Sequence, residues 1–207
     1  GSVRMCIRDS PNVGQLLEGG VIYDEMHSPY PVCAPSRSAI ITGMYPSSIG
    51  TGNHRAYHQK RKVRPDSESE LEFPYYSSRL AEAIKPFTQI LRENGYFCTN
   101  NSKTDYNFKL RKEAWDESSK GASWENRKKD QPFFAVFNFG VTHESSIWNR
   151  DKKKLKVDPN NLNVPPVFPD DSIARHALAV NYSNLIEMDI QMGKIIDKLK
   201  KQSLYDN

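Results

Sequence analysis

The chain has 207 residues, of which 37% are hydrophobic and 26% are charged, and its formal net charge is +4. This length suits one globular domain with room for a second small one, and this composition excludes an intrinsically disordered chain. No apolar run approaches the ~20 residues of a membrane-spanning helix, so no span is predicted. Three cysteines exclude a disulfide scaffold, and so mild a charge does not by itself indicate a nucleic-acid partner.

The N-terminal segment differs in character from the sequence after it. The string from Met5 to Ser10 is a translation of DNA that resembles the end of a transposon-based sequencing adapter. We therefore predict that residues 1–10 are non-native and that the native chain begins near Pro11. A short native loop carrying the thiol of Cys6 is the alternative, and the codons of residues 5–10 would decide between the two.

Helix and strand signals alternate along the chain, beginning in its first quarter. The apolar spacing after Pro11 predicts a short helix that stops at Gly19-Gly20, and residues 21–23 predict a brief strand. Residues 36–42 predict a second short helix, closed by Gly43. These elements are short, so they position loops rather than form a core alone.

The second half of the chain carries stronger signals. Residues 87–94 predict a helix that ends at Gly95, and residues 96–99 predict a strand. The nearly continuous apolar run over 133–139 is typical of a strand buried on both faces of a parallel sheet. A long helix is expected to start near 170–172, a good N-cap cluster. The polar segment between the strands has two predicted core anchors, Trp115 and Trp124. Alternation of strands and helices favours a layered α/β architecture.

The most informative stretch begins at Cys33 and ends at Arg37. A cysteine just before a helix N-terminus is electrostatically unusual, because the N–H groups and the helix dipole there favour an anion. Arg37 follows four residues later and can reach the same point. From spacing alone, a buried structural cysteine beside a turn remains the alternative interpretation.

The pattern C-x-P-S-R followed shortly by T-G resembles the signature of the sulfatase family, in the alkaline phosphatase superfamily. The match is complete, from Cys33 through Arg37 to Thr42-Gly43. The resemblance implies an alkaline-phosphatase-like three-layer α/β sandwich with a mostly parallel central sheet. It also implies that a maturation enzyme oxidises Cys33 to formylglycine, whose hydrated aldehyde attacks the sulfur of a sulfate ester. Arg37 is then expected to steady this diol and its metal as a fixed donor fork.

A second segment of the resemblance leads from Gly95-Tyr96 to Lys103. The string from Asn101 to Asn107 is similar to bacterial sulfatases that resemble heparan N-sulfatase. The resemblance implies that Lys103 is catalytic and contacts a sulfate oxygen. Family members often have a histidine where this chain has Asp105, so no histidine role is carried over there.

A third segment, 132–143, resembles the family strand that delivers a histidine into the site. Family members often read H-x-P-H; His143 matches the second histidine, and Gly140 occupies the position of the first. His143 is therefore expected to be catalytic and substrate-binding, donating to the bridging oxygen or holding the sulfate. The helix near Met188-Asp189, with Gly193 after it, matches a family pattern that we expect to be structural.

The resemblance covers nearly the whole chain from Pro11, and two expected family segments do not occur in it. One is the initial strand with paired aspartates that bind a divalent metal, usually calcium; the other is a later D-H-G or D-N-G segment. Residues 11–207 are therefore expected to be a partial N-terminal catalytic domain, an internal fragment whose fold is incomplete at both ends and which is inactive alone. Cys33, as formylglycine, would be a metal ligand, with the carboxylate ligands outside the chain.

The sequence thus predicts a bacterial sulfuric ester hydrolase acting on the sulfate esters or N-sulfates of a small molecule or glycan. Its partners would be this substrate and the maturation enzyme, with no nucleic acid, and its location the periplasm or the exterior. His54 follows the nucleophile helix closely enough to bind substrate. The alternatives are a formylglycine-dependent phosphonate or phosphodiester hydrolase, and a non-catalytic basic module that binds polyanions through residues 60–64 and 152–154.

Overall fold

The computed structural model describes residues 10–54, 78–151 and 153–206. The chain divides into two compact units: a sheet unit, Glu25–Asn138, and a helical unit, Gly1–Asp24 with Phe139–Asn207. The predicted adapter segment up to residue 9, with Cys6, lies outside the described residues, as do the basic cluster 60–64 and Lys152.

The described part of the sheet unit contains a parallel sheet of three strands in the order β2-β1-β3. The strands are β1 Phe97–Asn101, β2 Glu117–Ser118 and β3 Phe133–Phe137. Both neighbours pair with β1 in parallel, and Thr99 lies between Glu117 and Ala135. The expected mixed α/β chain with a parallel sheet is confirmed, in agreement with an alkaline-phosphatase-like fold.

One hydrophobic core joins the sheet to its helices, α2 Cys33–Thr42 and α3 Phe87–Glu93. Its buried members are Ile41, Cys98, Tyr106, Phe108, Ala114 and Trp115. The predicted anchors are confirmed, since Trp115 is 7% exposed and Trp124 is 2% exposed. Strand β3 is shorter than the predicted run, and all its residues are half-buried rather than fully buried.

Helix ends are where local sequence determined the structure most directly. Gly43, with φ 67°, and Gly95, with φ 89°, adopt the left-handed conformation that glycine tolerates best. Both therefore end their helices as predicted. The strand predicted at 21–23 is wrong: these residues have no strand structure and are exposed, and a strand without a pairing partner has no hydrogen-bonded ladder to stabilise it.

The helical unit contains α1 Pro11–Glu18, α4 Ser145–Asn149 and α5 Ser172–Lys201. Asp171 caps α5, since its side chain accepts a hydrogen bond from the N–H of Ala174, which confirms the predicted start. Short 3₁₀ turns lie at Lys112–Ala114, Trp124–Asn126, Gly140–Thr142 and Pro159–Asn161. Among the described residues, no helix combines the length and apolar character needed to cross a bilayer.

A buried carboxylate joins α1 to α5 inside the helical unit. Asp189, 2% exposed, accepts from the N–H of Val13 at 2.8 Å and from the Asn12 side chain at 2.7 Å. An anion beside the first N–H groups of α1 is favoured by the helix dipole. A Cβ at Gly193 would come within 2.6 Å of the Asn12 amide, so a larger residue there would displace the Asn12 side chain that bonds Asp189. This contact gives the M-D and G pattern a structural reason.

We expect Asp189→Ala to lower the free energy of unfolding of this chain by about 2–3 kcal/mol, because it leaves the partly buried N–H groups at the start of α1 without their charged acceptor. Asp197, exposed on the same helix, offers the matched control. Asp197→Ala should change stability by less than about 0.5 kcal/mol. Urea titration measures both variants, and equal midpoints would contradict this role of Asp189.

Candidate active site

Cys33 is the first residue of α2, which begins three residues before the helix that the sequence predicts over 36–42. Val32 before it is extended and serves as the N-cap, and Pro35 is tolerated in the first turn, where a missing N–H costs little. The half-buried Cys33 side chain therefore lies at the positive end of the helix dipole. Neither described cysteine, Cys33 or Cys98, is in a disulfide.

The two described cysteines differ in their surroundings. Cys98 is fully buried in β1, where burial and, secondarily, the charge of Asp116 raise the pKa of its thiol to about 11. Thiolate is the reactive form of cysteine, so Cys98 is an inert core residue. Cys33 is the accessible cysteine of the described pair.

Two buried hydroxyls anchor the helix that carries Cys33. Ser38 Oγ donates to the carbonyl of Pro35 at 2.7 Å and lies 2.6 Å from Thr51 Oγ1. A hydroxyl has a single hydrogen, so Thr51 is the donor in the second contact. Both residues are 0% exposed, and buried polar groups are costly unless satisfied. The segment after α2 is thereby fixed to the middle of that helix.

Arg37 connects α2 to the loop of Lys103. Its Nε donates to the carbonyl of Thr104 at 2.9 Å, and its Nη2 donates to the carbonyl of Lys103 at 2.5 Å. The guanidinium carbon also lies 5.7 Å from the ring centroid of Tyr106, within cation–π range. Burial raises the pKa of the Tyr106 phenol. Arg37 and Lys103 are thus brought together, one helical turn from Cys33.

Lys103 and Asp105 form an ion pair, with Nζ and Oδ2 3.4 Å apart. Their side chains are 37% and 18% exposed, so the lysine amine remains accessible to an anion from solvent. Asp105 stands where family members often have histidine, and here it balances the charge of Lys103. A sulfate that binds the Lys103 amine would also lie near the Asp105 carboxylate.

The loop of His54 meets the loop of Lys103 through one side chain. Asn107 Nδ2 donates to the carbonyl of Thr51 at 3.1 Å and to the carbonyl of Asn53. His54 follows Asn53 and is exposed. The predicted substrate contact at His54 remains a prediction, but its segment is held beside the Lys103 loop.

His143 lies in the helical unit, just after the 3₁₀ turn Gly140–Thr142 and before α4. Its Nδ1 accepts from the N–H of Ser145 at 3.3 Å and lies 2.9 Å from Ser145 Oγ. A nitrogen that accepts a backbone proton carries none itself, so the neutral imidazole holds its hydrogen on Nε2. Thus the structure groups Cys33, Arg37 and Lys103 within the sheet unit, while His143 belongs to the other unit.

Several residues of this arrangement carry no sequence signal that singles them out. Asn107 ends the string that resembles the heparan N-sulfatase-like group, which is the one available hint. Ser38, Thr51 and Ser145 have no motif beyond their proximity to Cys33 or His143. Their roles depend on contacts that only the folded chain shows.

A metal site needs several ligand side chains close together. The described residues contain no group of three or more His, Cys, Asp or Glu side chains that could hold an ion. Asp105, the carboxylate beside the Lys103 loop, is paired with Lys103. The described residues alone therefore do not fit a divalent-metal site, and no chemical step is derived through one.

Comparison with known proteins identifies the family of the chain. The sequence profile of the sulfatases matches residues 4–207. The chain belongs to the sulfatase family. It is similar to two curated proteins of Formosa agariphila. It is 36% identical to an "Ulvan-active sulfatase" over 233 aligned residues, 96% of this chain and 38% of that relative. It is 29% identical to a "Sulfatase" over 99 residues, 48% of this chain and 17% of that relative. The chain therefore spans less than half the length of these relatives.

Proposed function

We propose that this chain carries the nucleophile segment of a sulfuric ester hydrolase that acts on a sulfated glycan, with ulvan as the first substrate to test. The observation that carries the proposal is the contact between the complete C-x-P-S-R motif and the Lys103 loop. Arg37 binds the backbone of that loop directly, so the loop that carries Lys103 is held against the helix that begins at Cys33.

Hydrolysis of a sulfate ester needs a nucleophile and positive charge around the sulfuryl oxygens, as phosphoryl transfer does. Formylglycine made from Cys33 by a maturation enzyme would supply a hydroxyl for attack on sulfur and a second hydroxyl for sulfate release. The position at the first residue of α2 suits this modification, because the helix dipole favours an anionic oxygen there. Lys103 would neutralise a sulfate oxygen, and Arg37 would hold the lysine loop in place and steady the diol as a fixed donor fork.

The leaving oxygen needs a proton or a hydrogen bond when its bond to sulfur breaks. His143 is proposed for this role, and its Nε2–H is the donor that the Ser145 contact leaves available in the neutral ring. His54 is proposed as a glycan contact beside the same loop. A divalent cation, proposed to be calcium, would have the formylglycine made from Cys33 among its ligands, with its carboxylate ligands outside the described residues, and would supply Lewis-acid chemistry. The enzyme is further proposed to be matured at Cys33 and exported to the periplasm or the exterior.

The test compares transfer of a sulfuryl group with transfer of a phosphoryl group by the longer enzyme that carries this chain, produced with a formylglycine-generating enzyme. We expect release of inorganic sulfate from ulvan and from an aryl sulfate, with at least about 100-fold higher kcat/KM than for an aryl phosphodiester. Faster phosphodiester turnover would favour the related phosphodiester hydrolase. Salt-sensitive polyanion binding without any turnover, and unaffected by Cys33→Ala, would favour the basic binding module.

A further inference from the structure

The geometry points to Asn107 as a positioning residue, which fixes the Lys103 loop and the His54 segment against the nucleophile helix. This inference rests on the proposed function, because it concerns the placement of Lys103 for a sulfate oxygen. Asn107 belongs to none of the roles that the sequence assigns.

The contacts of Asn107 are buried and made to main-chain acceptors. The residue is 8% exposed, and its Nδ2 donates hydrogen bonds to the carbonyls of Thr51 and Asn53. These carbonyls lie more than fifty residues away along the chain. The backbone of Asn107 has φ 57°, a left-handed conformation that asparagine and glycine adopt more readily than other residues. Side chain and backbone therefore both favour asparagine here.

The hydrogen bonds form a closed positioning ring through Arg37, the backbone from Lys103 to Asn107, Thr51 and Ser38. Arg37 binds the beginning of the Lys103 loop, and Asn107 binds Thr51 from the end of that loop. Thr51 donates to Ser38, which follows Arg37 directly in α2. A loop held at both ends has few alternative conformations, so the Lys103 side chain starts from a defined backbone position.

Three variants separate the donor from the backbone and from general stability. Asn107→Asp keeps the size and the tolerance of left-handed φ but places an acceptor against two carbonyls. Asn107→Gly keeps the backbone conformation and removes the donor without repulsion. Cys98→Ala is the control, since it disturbs the same core without touching the ring. Formylglycine content is measured in every variant, so that maturation and positioning are told apart.

We expect Asn107→Asp to lower kcat/KM for sulfate release about 30- to 100-fold, and Asn107→Gly about 10-fold, with unchanged formylglycine content. Cys98→Ala should stay within about 3-fold. The decisive measurement repeats Asn107→Asp in a Lys103→Ala background. If Asn107 acts through Lys103, the second substitution costs less than about 3-fold there. The same fold-loss in both backgrounds would overturn the proposal.

Amide hydrogen exchange tests the positioning without any turnover. Asn107→Asp should speed amide exchange in residues 103–106 and in 51–54. Cys98→Ala should leave the ratio of exchange rates between these segments and the sheet unchanged. Unchanged exchange in both segments would overturn the role of Asn107 even in a protein that hydrolyses sulfate esters. Absence of sulfatase activity in the unsubstituted, formylglycine-containing enzyme would instead refute the proposed function.

Discussion

Replacing Cys33 with alanine is expected to abolish sulfate release, lowering kcat by about 10⁴-fold or more. Alanine cannot be oxidised to an aldehyde, so the proposed nucleophile cannot form, while the helix keeps its shape. The helix itself should be intact, because its anchors are Ser38 and Thr51 rather than the thiol. Binding of substrate through Lys103 should persist, so the loss should appear in kcat more than in KM.

Cys98→Ala is the matched control for this loss. It removes a thiol from the same unit, but one that is fully buried and whose pKa is raised to about 11 by burial. Activity should stay within about 3-fold, with a modest loss of stability. Equal rates for Cys33→Ala and the unsubstituted enzyme would remove Cys33 from the mechanism.

Lys103→Ala should have the next largest effect, lowering kcat/KM about 10²- to 10³-fold. The variant loses the cation that is proposed to contact a sulfate oxygen, and it also removes the Lys103 partner of Asp105. A carboxylate beside an anionic substrate is repulsive, so both changes act in the same direction. Steady-state kinetics on an aryl sulfate measure the loss.

A paired variant separates the two contributions. Adding Asp105→Ala to Lys103→Ala should restore about 3- to 10-fold of kcat/KM, because the repulsive carboxylate is gone. Lys109→Ala, at an exposed lysine nearby in the chain, is the control and should leave the rate unchanged. A loss at Lys109 equal to that at Lys103 would show that net charge, rather than position, governs the rate.

The sequence predicted those parts of the fold that depend on neighbouring residues. Glycine at left-handed φ ends α2 and α3, and the Asp171 carboxylate starts α5, since each of these effects is complete within one turn. Strand β2 was not predicted because two residues carry no periodic signal. The strand predicted at 21–23 is wrong because apolar residues alone do not provide a pairing partner.

The candidate site likewise has parts that the sequence predicts and parts that it does not. The motif around Cys33 and Arg37 could be read directly, because its spacing is local and specific. The contact of Arg37 with carbonyls 66 and 67 residues away could not, because a backbone acceptor has no side-chain signature. Asn107 and Ser38 were missed for the same reason. The tautomer of His143 likewise follows from a backbone donor rather than from residue type.

The most direct test is the mass of the peptide that contains Cys33, taken from an enzyme preparation that releases sulfate. Production with a formylglycine-generating enzyme should give the residue mass of formylglycine at position 33, and an aldehyde-reactive probe should label the same peptide. The sulfate-release rate should rise in proportion to the labelled fraction across preparations. An active preparation with only thiol at Cys33 would contradict the proposed mechanism.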